Sequence, residues 1–254
     1  MIITAVTNQK GGVGKSTTAC ALGAELRKRG QRVLLVDLDP QGNLSFMAGA
    51  KVDDDSVTIY DVLTRRNEAA EAIQHTENGG DIIPANVLLA GAELELNQQQ
   101  GREQRLKRAL ADLRNNYDHV IIDTPPALSV FTTNAYTAAH RLIIPTLADA
   151  VSSQGVLQLF ETVDSVRYYY NPDLTIDGIL ITRYSDRKNL HRQMKETIEK
   201  LAERIGTKVY KTTIRDAVAV GEAQAMRQTL PSYAPGANVT KDYQAFADEF
   251  LKEE

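Results

Sequence analysis

The chain has 254 residues, of which 43% are hydrophobic, and its formal net charge is −4. This length suits one α/β domain spanning residues 1–254, and the composition excludes a disordered or fibrous protein. The single cysteine, Cys20, excludes an internal disulfide and a cysteine-held zinc or iron–sulfur cluster. Because the net charge is negative, only a local basic patch could bind nucleic acid.

No run of about 18 apolar residues occurs in the chain. The first residues (MIITAVTNQKGG) lack the basic region and the cleavage site of a signal peptide. We therefore expect a cytoplasmic protein that is neither membrane-spanning nor exported.

The predicted elements alternate between strand and helix along the chain. Residues 2–7 are an apolar run before a glycine-rich turn, residues 16–29 have helical spacing, and residues 32–37 (RVLLVD) form an apolar strand with an acidic end. Further strands are predicted at residues 81–84, 119–123, 141–145, 176–182 and 208–210, and helices at 88–96, 102–114, 154–170, 190–205 and 242–251. This alternation predicts a single-domain α/β fold whose mainly parallel, twisted sheet has helices on both faces, with ligands at the carboxyl ends of the strands.

Residues 10–16 (KGGVGKS) lie between the first predicted strand and the first predicted helix, which is the context that a phosphate-binding loop requires. The glycines allow backbone N–H groups to converge on phosphate oxygens, and the helix N-terminus adds its dipole. The Lys15 ammonium would neutralise the β and γ phosphates, and the Ser16 hydroxyl can bind Mg²⁺. The sequence therefore predicts a site for a nucleotide and magnesium.

This loop departs from the ordinary pattern G-x-x-x-x-G-K-[ST], because Gln9 replaces the first glycine and a second lysine, Lys10, follows it. The form K-G-G-x-G-K-[ST] resembles the deviant Walker ATPases, which include the ParA and Soj partition proteins, MinD and nitrogenase iron protein. Residues 37–43 (DLDPQGN) and 120–126 (VIIDTPP) resemble two further segments of that family, in the same order and spacing. The resemblance covers essentially the whole chain and is most specific for the ParA/Soj type, which has the P-loop NTPase fold.

The resemblance implies an ATPase that uses ATP/ADP and Mg²⁺ and forms a homodimer with the nucleotides sandwiched between the subunits. Lys10 would contact the phosphates bound by the other subunit, Asp39 would orient or activate the attacking water, and Asp123 would hold Mg²⁺ through water. The implied catalytic residues are Lys10, Lys15 and Asp39, the nucleotide-binding residues are Gly11, Gly12, Val13, Gly14, Lys15, Ser16, Thr17 and Asp123, and the metal-binding residues are Ser16, Asp39 and Asp123.

The residues alone leave other interpretations of the two aspartates open. Asp39 could cap the next short helix, and Asp123 could be a turn former ahead of Pro125. The role of Asp37 also stays open.

Several branches of the family are disfavoured by the sequence. Nitrogenase-type relatives hold an iron–sulfur cluster with two cysteines from each subunit, and this chain has one. MinD-type relatives end in a basic amphipathic helix that binds membrane, whereas residues 241–254 are acidic on their polar side and would be repelled by anionic lipid. We therefore expect no membrane partner.

The partition type binds DNA without sequence preference, which requires a basic patch. Residues 183–192 (RYSDRKNLHR) carry four cationic side chains and one acid, and the resemblance implies that this segment contacts DNA. Residues 213–223 resemble a second family segment, but Asp216 and Ala217 replace its arginine and asparagine. The predicted DNA contacts are Arg183, Arg187, Lys188, Arg192 and Arg215. A solvated helix start is the alternative interpretation of these cations.

The resemblance thus implies an ATP-dependent dimer that binds nonspecific DNA, releases it on hydrolysis and partitions a plasmid, chromosome region or other cargo. A ParB-like or cargo-linked protein would stimulate it, and DNA binding would associate it with the nucleoid. The chain begins almost at its first strand, so we expect no N-terminal DNA-reading domain and no operator binding. The alternative function is a MinD-like, ATP-switched regulator that acts through protein partners without binding DNA.

Overall fold

Helices cover both faces of one β-sheet in the computed structural model. The structure describes residues 1–53 and 55–252, with the side chains of all of these except residues 150–154. The strands of the described chain are β1 Ile2–Val6, β2 Val33–Asp37, β3 Gln74–Thr76, β4 Gly80–Ile83, β5 His119–Asp123, β6 Arg141–Leu147 and β7 Thr175–Thr182. The α-helices are α1 Lys15–Lys28, α2 Asn43–Met47, α3 Ile59–Leu63, α4 Leu89–Asn97, α5 Arg105–Ala111, α6 Val130–Ala138, α7 Ala150–Tyr169, α8 Asn189–Arg204, α9 Val218–Ala225, α10 Leu230–Tyr233 and α11 Asn238–Leu251.

The strand order places the carboxyl ends of β2, β5 and β1 side by side. β2 and β5 each end in an aspartate, and β1 leads into the phosphate loop. The order is β3-β4-β2-β5-β1-β6-β7, and the neighbouring pairs are parallel except for β3 with β4. In register, Asp37 of β2 lies beside Asp123 of β5, and Asp123 lies beside Val6 of β1. The phosphate loop therefore leaves the sheet next to two buried carboxylates.

Alternating side chains of the central strands fill two hydrophobic cores, one on each face of the sheet. Ile3, Leu34 and Ile122 belong to the core covered by α3 to α8, whereas Leu35 and Ile121 belong to the core covered by α1, α2 and α9 to α11. Because helices cover both faces of the sheet, the sequences of the central strands are nearly continuous runs of apolar residues. The predicted α/β fold with a mainly parallel sheet is confirmed.

The structure corrects one predicted strand and adds one. Residues 208–210 do not form a full strand, since only Val209 bridges to Ile179 of β7. The antiparallel strand β3 was not predicted, because its three residues are polar and lie at the edge of the sheet. The short helices α2, α3, α9 and α10 and the helix α6 were also not predicted.

The C-terminal helix α11 packs its apolar face against the body of the protein. Tyr243, Phe246 and Phe250 are buried in the core that contains α1. The side chains that a membrane-binding helix would need are therefore already covered. None of the described helices combines the length and hydropathy required to cross a membrane.

Candidate nucleotide and magnesium site

The phosphate loop connects the end of β1 to the first turn of α1. Gly12 has a φ of 73° and Gly14 a φ of 87°, a region that side-chain-bearing residues rarely adopt. A Cβ added at Gly11 or Gly12 would meet no atom within 4 Å, so the backbone of the loop borders open space. The sequence and the geometry therefore agree on an exposed cradle of N–H groups at a helix N-terminus, which suits phosphate.

Two polar side chains at strand ends fix this loop to the sheet. Asn8 Oδ1 accepts a hydrogen bond from Lys10 N at 2.9 Å, and Asn8 Nδ2 donates to Pro145 O of β6 at 2.8 Å. The Thr182 hydroxyl, at the end of β7, donates to Val13 O at 2.8 Å. The sequence motif did not identify Asn8 or Thr182. The only available signal was a polar residue where an apolar strand ends.

The loop opens into a pocket of about 500 Å³. Its lining includes Lys15, Ser16, Thr17 and Asp39 at one end, while Val220, Gly221 and Gln224 of α9 line it with Met47. This volume and mixture of polar and apolar walls suit a nucleotide. Lys10, in contrast, is not among the described residues that line the pocket.

Asp123 has the environment of a metal-binding carboxylate. It is completely buried, and neither of its carboxylate oxygens has a hydrogen-bond partner of good geometry among the described residues, although the Ser16 hydroxyl lies close enough to interact with it. Burial raises the pKa of Asp123 well above its ordinary value, the neighbouring Asp37 raises it further, and Ser16 and Lys15 offset part of this effect. A buried carboxylate without hydrogen bonds of good geometry is costly, so a nearby cation would stabilise it.

The described residues hold no group of three or more His, Cys, Asp or Glu side chains able to bind a metal by themselves. A magnesium ion at Asp123 would therefore need the Ser16 hydroxyl, water and nucleotide phosphates as its other ligands. Mg²⁺ commonly binds in this way, through one or two protein groups and phosphate oxygens. The residues present fit magnesium that enters with a nucleotide.

Lys15 lies between the loop and these carboxylates. Its ammonium donates a hydrogen bond to Lys10 O at 3.2 Å, and its residue is 7% exposed. Burial lowers the pKa of Lys15, whereas the charges of Asp123 and Asp39 raise it. The ammonium is thus held at the phosphate end of the pocket.

Asp37 and Asp39 have different roles in the segment after β2. Asp37 accepts hydrogen bonds from Asp39 N at 3.0 Å, Ser45 N at 2.8 Å and the Ser45 hydroxyl at 2.7 Å. Burial raises the pKa of Asp37 to about 6, and these hydrogen bonds oppose that shift. Asp37 therefore anchors the segment, a role that the sequence had left open.

Asp39 reaches the pocket and also stabilises a turn. Its Oδ1 accepts a hydrogen bond from Gln41 N at 2.9 Å, and the residue lines the nucleotide pocket while being only 7% exposed. The predicted helix cap is not formed, because the N-cap position of α2 is Gly42 and no side chain caps this helix; Asp39 instead stabilises the turn that precedes it. This turn uses only Oδ1 of Asp39, and Oδ2 takes no part in the hydrogen bond to Gln41 N.

Lys10 lies beside the pocket but is not among the described residues that line it. Its ammonium donates a hydrogen bond to Asp149 Oδ2 at 2.7 Å, in the segment between β6 and α7. Both side chains are partly exposed, at 31% and 37%. The second lysine of the motif is therefore available at the surface beside the site rather than inside it.

The predicted DNA contacts are brought to one side of the pocket, at the end of β7 and the start of α8. Arg183, Arg187, Lys188 and Arg192 are all exposed, and we call them the basic surface. Arg183 and Arg215 also line the nucleotide pocket. The basic surface thus begins where the pocket ends.

Replacing Asp123 with asparagine is expected to separate metal binding from stability. A carboxyl group whose pKa is raised on folding costs stability as the pH rises through that higher value, so its removal should stabilise the nucleotide-free protein at neutral pH. We expect a gain in Tm of about 2–4 °C at pH 7, the shift that about 1 kcal/mol produces in a domain of this size. Magnesium affinity in the presence of ADP should fall by about 10–100-fold.

Thermal unfolding without nucleotide and calorimetric titration of Mg²⁺ in the presence of ADP would measure both effects. The gain in Tm should shrink as the pH falls towards 4, because Asp123 becomes neutral in the wild type. A lower Tm for the variant at pH 7, or an unchanged magnesium affinity, would contradict the assignment of Asp123.

Residues 1–176 match the family model described as an AAA domain. The chain is 42% identical to the sporulation initiation inhibitor protein Soj of Bacillus subtilis, over 97% of each protein. It is 39% identical to the chromosome partitioning protein ParA of Caulobacter vibrioides, over 99% of this chain and 94% of that protein. The solved structure of cobyrinic acid a,c-diamide synthase from Mycobacterium smegmatis, with bound ADP and magnesium, matches with a TM-score of 0.87 and 38% identity, over 100% of this chain and 95% of that chain.

Proposed function

This chain belongs to the ParA/Soj family of P-loop ATPases, and from that premise we propose that its MgATP-bound homodimer binds DNA without sequence preference and releases it on hydrolysis. Repetition of this cycle would partition a plasmid, chromosome region or other cargo. The observation that carries the proposal is the exposed basic surface, which adjoins the pocket of the phosphate loop through Arg183. Nucleotide and DNA would therefore bind to adjoining surfaces.

ATP and Mg²⁺ are the proposed ligands of the pocket. Lys15 and the N–H groups of residues 11–17 would hold the phosphates, and Ser16 and Asp123 would hold magnesium, directly and through water respectively. When bound, magnesium would neutralise charge on the β and γ phosphates. Asp39 would orient the attacking water and accept its proton. Support comes from the buried oxygens of Asp123, which lack a hydrogen-bond partner of good geometry among the described residues, and from the ADP and magnesium in the related M. smegmatis structure.

The homodimer would place Lys10 of each subunit on the phosphates of the other. Lys10 lies outside the pocket of its own subunit, so a role in trans agrees with its position. Val87, Leu88 and Leu128 are 76%, 57% and 60% exposed on the loops after β4 and β5, at the same edge of the sheet. Exposed apolar side chains around a site favour burial against a second copy.

A ParB-like protein or a cargo adaptor is the proposed activating partner, and DNA binding would place the protein on the nucleoid. The rival function is a MinD-like regulator without DNA affinity. The membrane-bound form of that rival is disfavoured, since the apolar face of α11 is buried against the core. The exposed basic surface favours DNA over a purely protein-directed regulator.

Retention of the purified protein on arbitrary duplex DNA should depend on nucleotide. We expect tight binding with a slowly hydrolysed ATP analogue and weak binding with ADP or without nucleotide, because only the dimer presents both basic surfaces. If Arg187, Lys188 and Arg192 of each subunit contact phosphates, the dimer makes about six contacts and affinity should fall about 10³-fold between 50 and 200 mM salt.

Fluorescence anisotropy with two labelled duplexes of unrelated sequence would measure this effect. Affinities that differ by less than about twofold between the duplexes would agree with phosphate recognition. Equal and negligible retention in all three nucleotide states would exclude the DNA-binding function and favour the protein-directed regulator.

A further inference from the structure

Two of the predicted DNA-contacting arginines already have carboxylate partners within the chain. Arg183 Nε donates a hydrogen bond to Asp216 Oδ1 at 3.2 Å. Arg215 donates through Nε and Nη2 to the two carboxylate oxygens of Asp242 at 2.6 and 2.8 Å. The two pairs connect elements 33 and 27 residues apart, so they depend on the tertiary fold.

The two ion pairs differ in how accessible they are. Asp242 of α11 is 12% exposed in its side chain and also accepts a hydrogen bond from Arg215 N, so this pair fastens the loop to the core. Arg183 and Asp216 are 56% and 67% exposed, at the border between the pocket and the basic surface. Arg215 is itself 50% exposed, but only in the Arg183–Asp216 pair is the carboxylate exposed as well, so only that carboxylate can be displaced readily by an approaching phosphate.

The backbone holds the Arg183–Asp216 pair in place. Tyr184 N donates a hydrogen bond to Ile214 O at 2.9 Å, and Tyr184 bridges in parallel to Arg215. Arg183 itself has a φ of 52°, a conformation that is uncommon for a residue with a side chain. The segments 182–184 and 214–216 are therefore fixed side by side, which keeps the carboxylate next to the guanidinium.

Arg187 and Lys188 have a different environment from Arg183. No ion pair joins either of them to an acid within the described residues, and Arg192 hydrogen-bonds the neutral side chain of Asn189. Three cations of the basic surface are thus uncompensated, whereas Arg183 is compensated by an acid.

We propose that Asp216 is an affinity-determining residue that competes with DNA phosphate for Arg183 and thereby weakens DNA binding by the ATP-bound dimer. The inference rests on the proposed function, because it concerns the same DNA-binding surface. An arginine that stays paired with a carboxylate does not neutralise a phosphate, so it displaces no counterion from the DNA and adds little to affinity. The partner addressed by this surface is the phosphate backbone of duplex DNA.

Asp216→Asn should free Arg183 and add one phosphate contact per subunit. The slope of log affinity against log salt should steepen by about 0.9 for each added contact, and at 0.1 M salt each contact should tighten binding by about eightfold. The measurement uses the full-length protein, saturated with the slowly hydrolysed ATP analogue and confirmed as a dimer by light scattering. Saturation matters because Asp216 lines the nucleotide pocket.

Asp186→Asn is the matched control, because it removes the same charge from the same surface without freeing an arginine. Asp186 is exposed and has no ion pair within the described residues. Its effect should stay below about twofold, because salt at 0.1 M screens charges over about 10 Å. The slope for Asp186→Asn should match that of the wild type.

Arg183→Ala completes a double-mutant cycle with Asp216→Asn. Arg183→Ala should weaken DNA binding by less than about twofold in the wild type and by about eightfold per contact in the Asp216→Asn background. The proposal is overturned if Asp216→Asn behaves like Asp186→Asn, or if Arg183→Ala weakens the wild type tenfold. If neither the wild type nor Asp216→Asn binds DNA, the proposed function fails with it. Binding by Asp216→Asn alone would support the competition.

Discussion

Lys10→Ala is expected to abolish ATP-dependent dimerisation while leaving ATP binding in place. The lysine lies outside the pocket of its own subunit and is paired with Asp149, so its loss should not disturb the phosphate loop. A cation supplied in trans stabilises charge on the transferred phosphoryl group, a contribution worth about 10³-fold or more in comparable enzymes. We therefore expect turnover to fall by about 10³-fold.

Light scattering with a slowly hydrolysed ATP analogue would measure the dimer, and release of phosphate would measure turnover. Lys15→Ala is the informative comparison, because Lys15 is held in the pocket and its loss should remove nucleotide binding itself. Lys28→Ala is a suitable control, since Lys28 is exposed at the far end of α1 and Glu25, its partner at 3.4 Å, keeps its shorter ion pair with Arg29 at 2.7 Å. A Lys10→Ala protein that still dimerises with the analogue would overturn the trans role.

Asp39→Asn is expected to slow ATP hydrolysis by about 10²–10³-fold, which is the contribution of a positioned general base. Asparagine keeps an oxygen that can accept the hydrogen bond from Gln41 N, so the turn before α2 should survive. The carboxylate, which would accept a proton from the attacking water, is lost. ATP binding and dimerisation should therefore remain near the wild-type level.

Asp39→Ala separates the two interpretations of this residue. It removes both the carboxylate and the turn hydrogen bond, so a turn-stabilising role would be impaired in Asp39→Ala and preserved in Asp39→Asn. Comparing phosphate release and Tm for both variants decides between them. Turnover by Asp39→Asn within a few fold of the wild type would remove Asp39 from the catalytic role and leave it as a turn-forming residue.

The positions of the phosphate loop and of Asp123 were predictable because their signals are local. A glycine-rich turn between an apolar strand and a helix defines its own backbone conformation, as the positive φ values of Gly12 and Gly14 illustrate. Likewise, an apolar strand such as residues 119–123 that ends in an acid directs that acid to the carboxyl edge of a parallel sheet. The family motif added the expected roles of these residues in catalysis.

Other elements of the fold gave too little local signal. β3 is three polar residues at a sheet edge, where pairing with β4 supplies the order that its composition does not. Residues 208–210 have a strand-like composition, yet within the described chain they make only one bridge, from Val209 to Ile179 on the side of β7 that faces away from β6. Composition identifies strand-forming segments but does not say which neighbour is available.

By itself, the sequence determined the phosphate loop, the alternation of apolar strands with helices and the mainly parallel α/β fold, since each depends on residues close together in the chain. Only the tertiary structure decided which partners the charged side chains have. Lys10 meets Asp149 across 139 residues, and Arg183 meets Asp216 across 33. Such pairs form because the order of strands in the sheet brings distant strand ends together. The partner of a charged side chain can therefore be identified only from the tertiary structure.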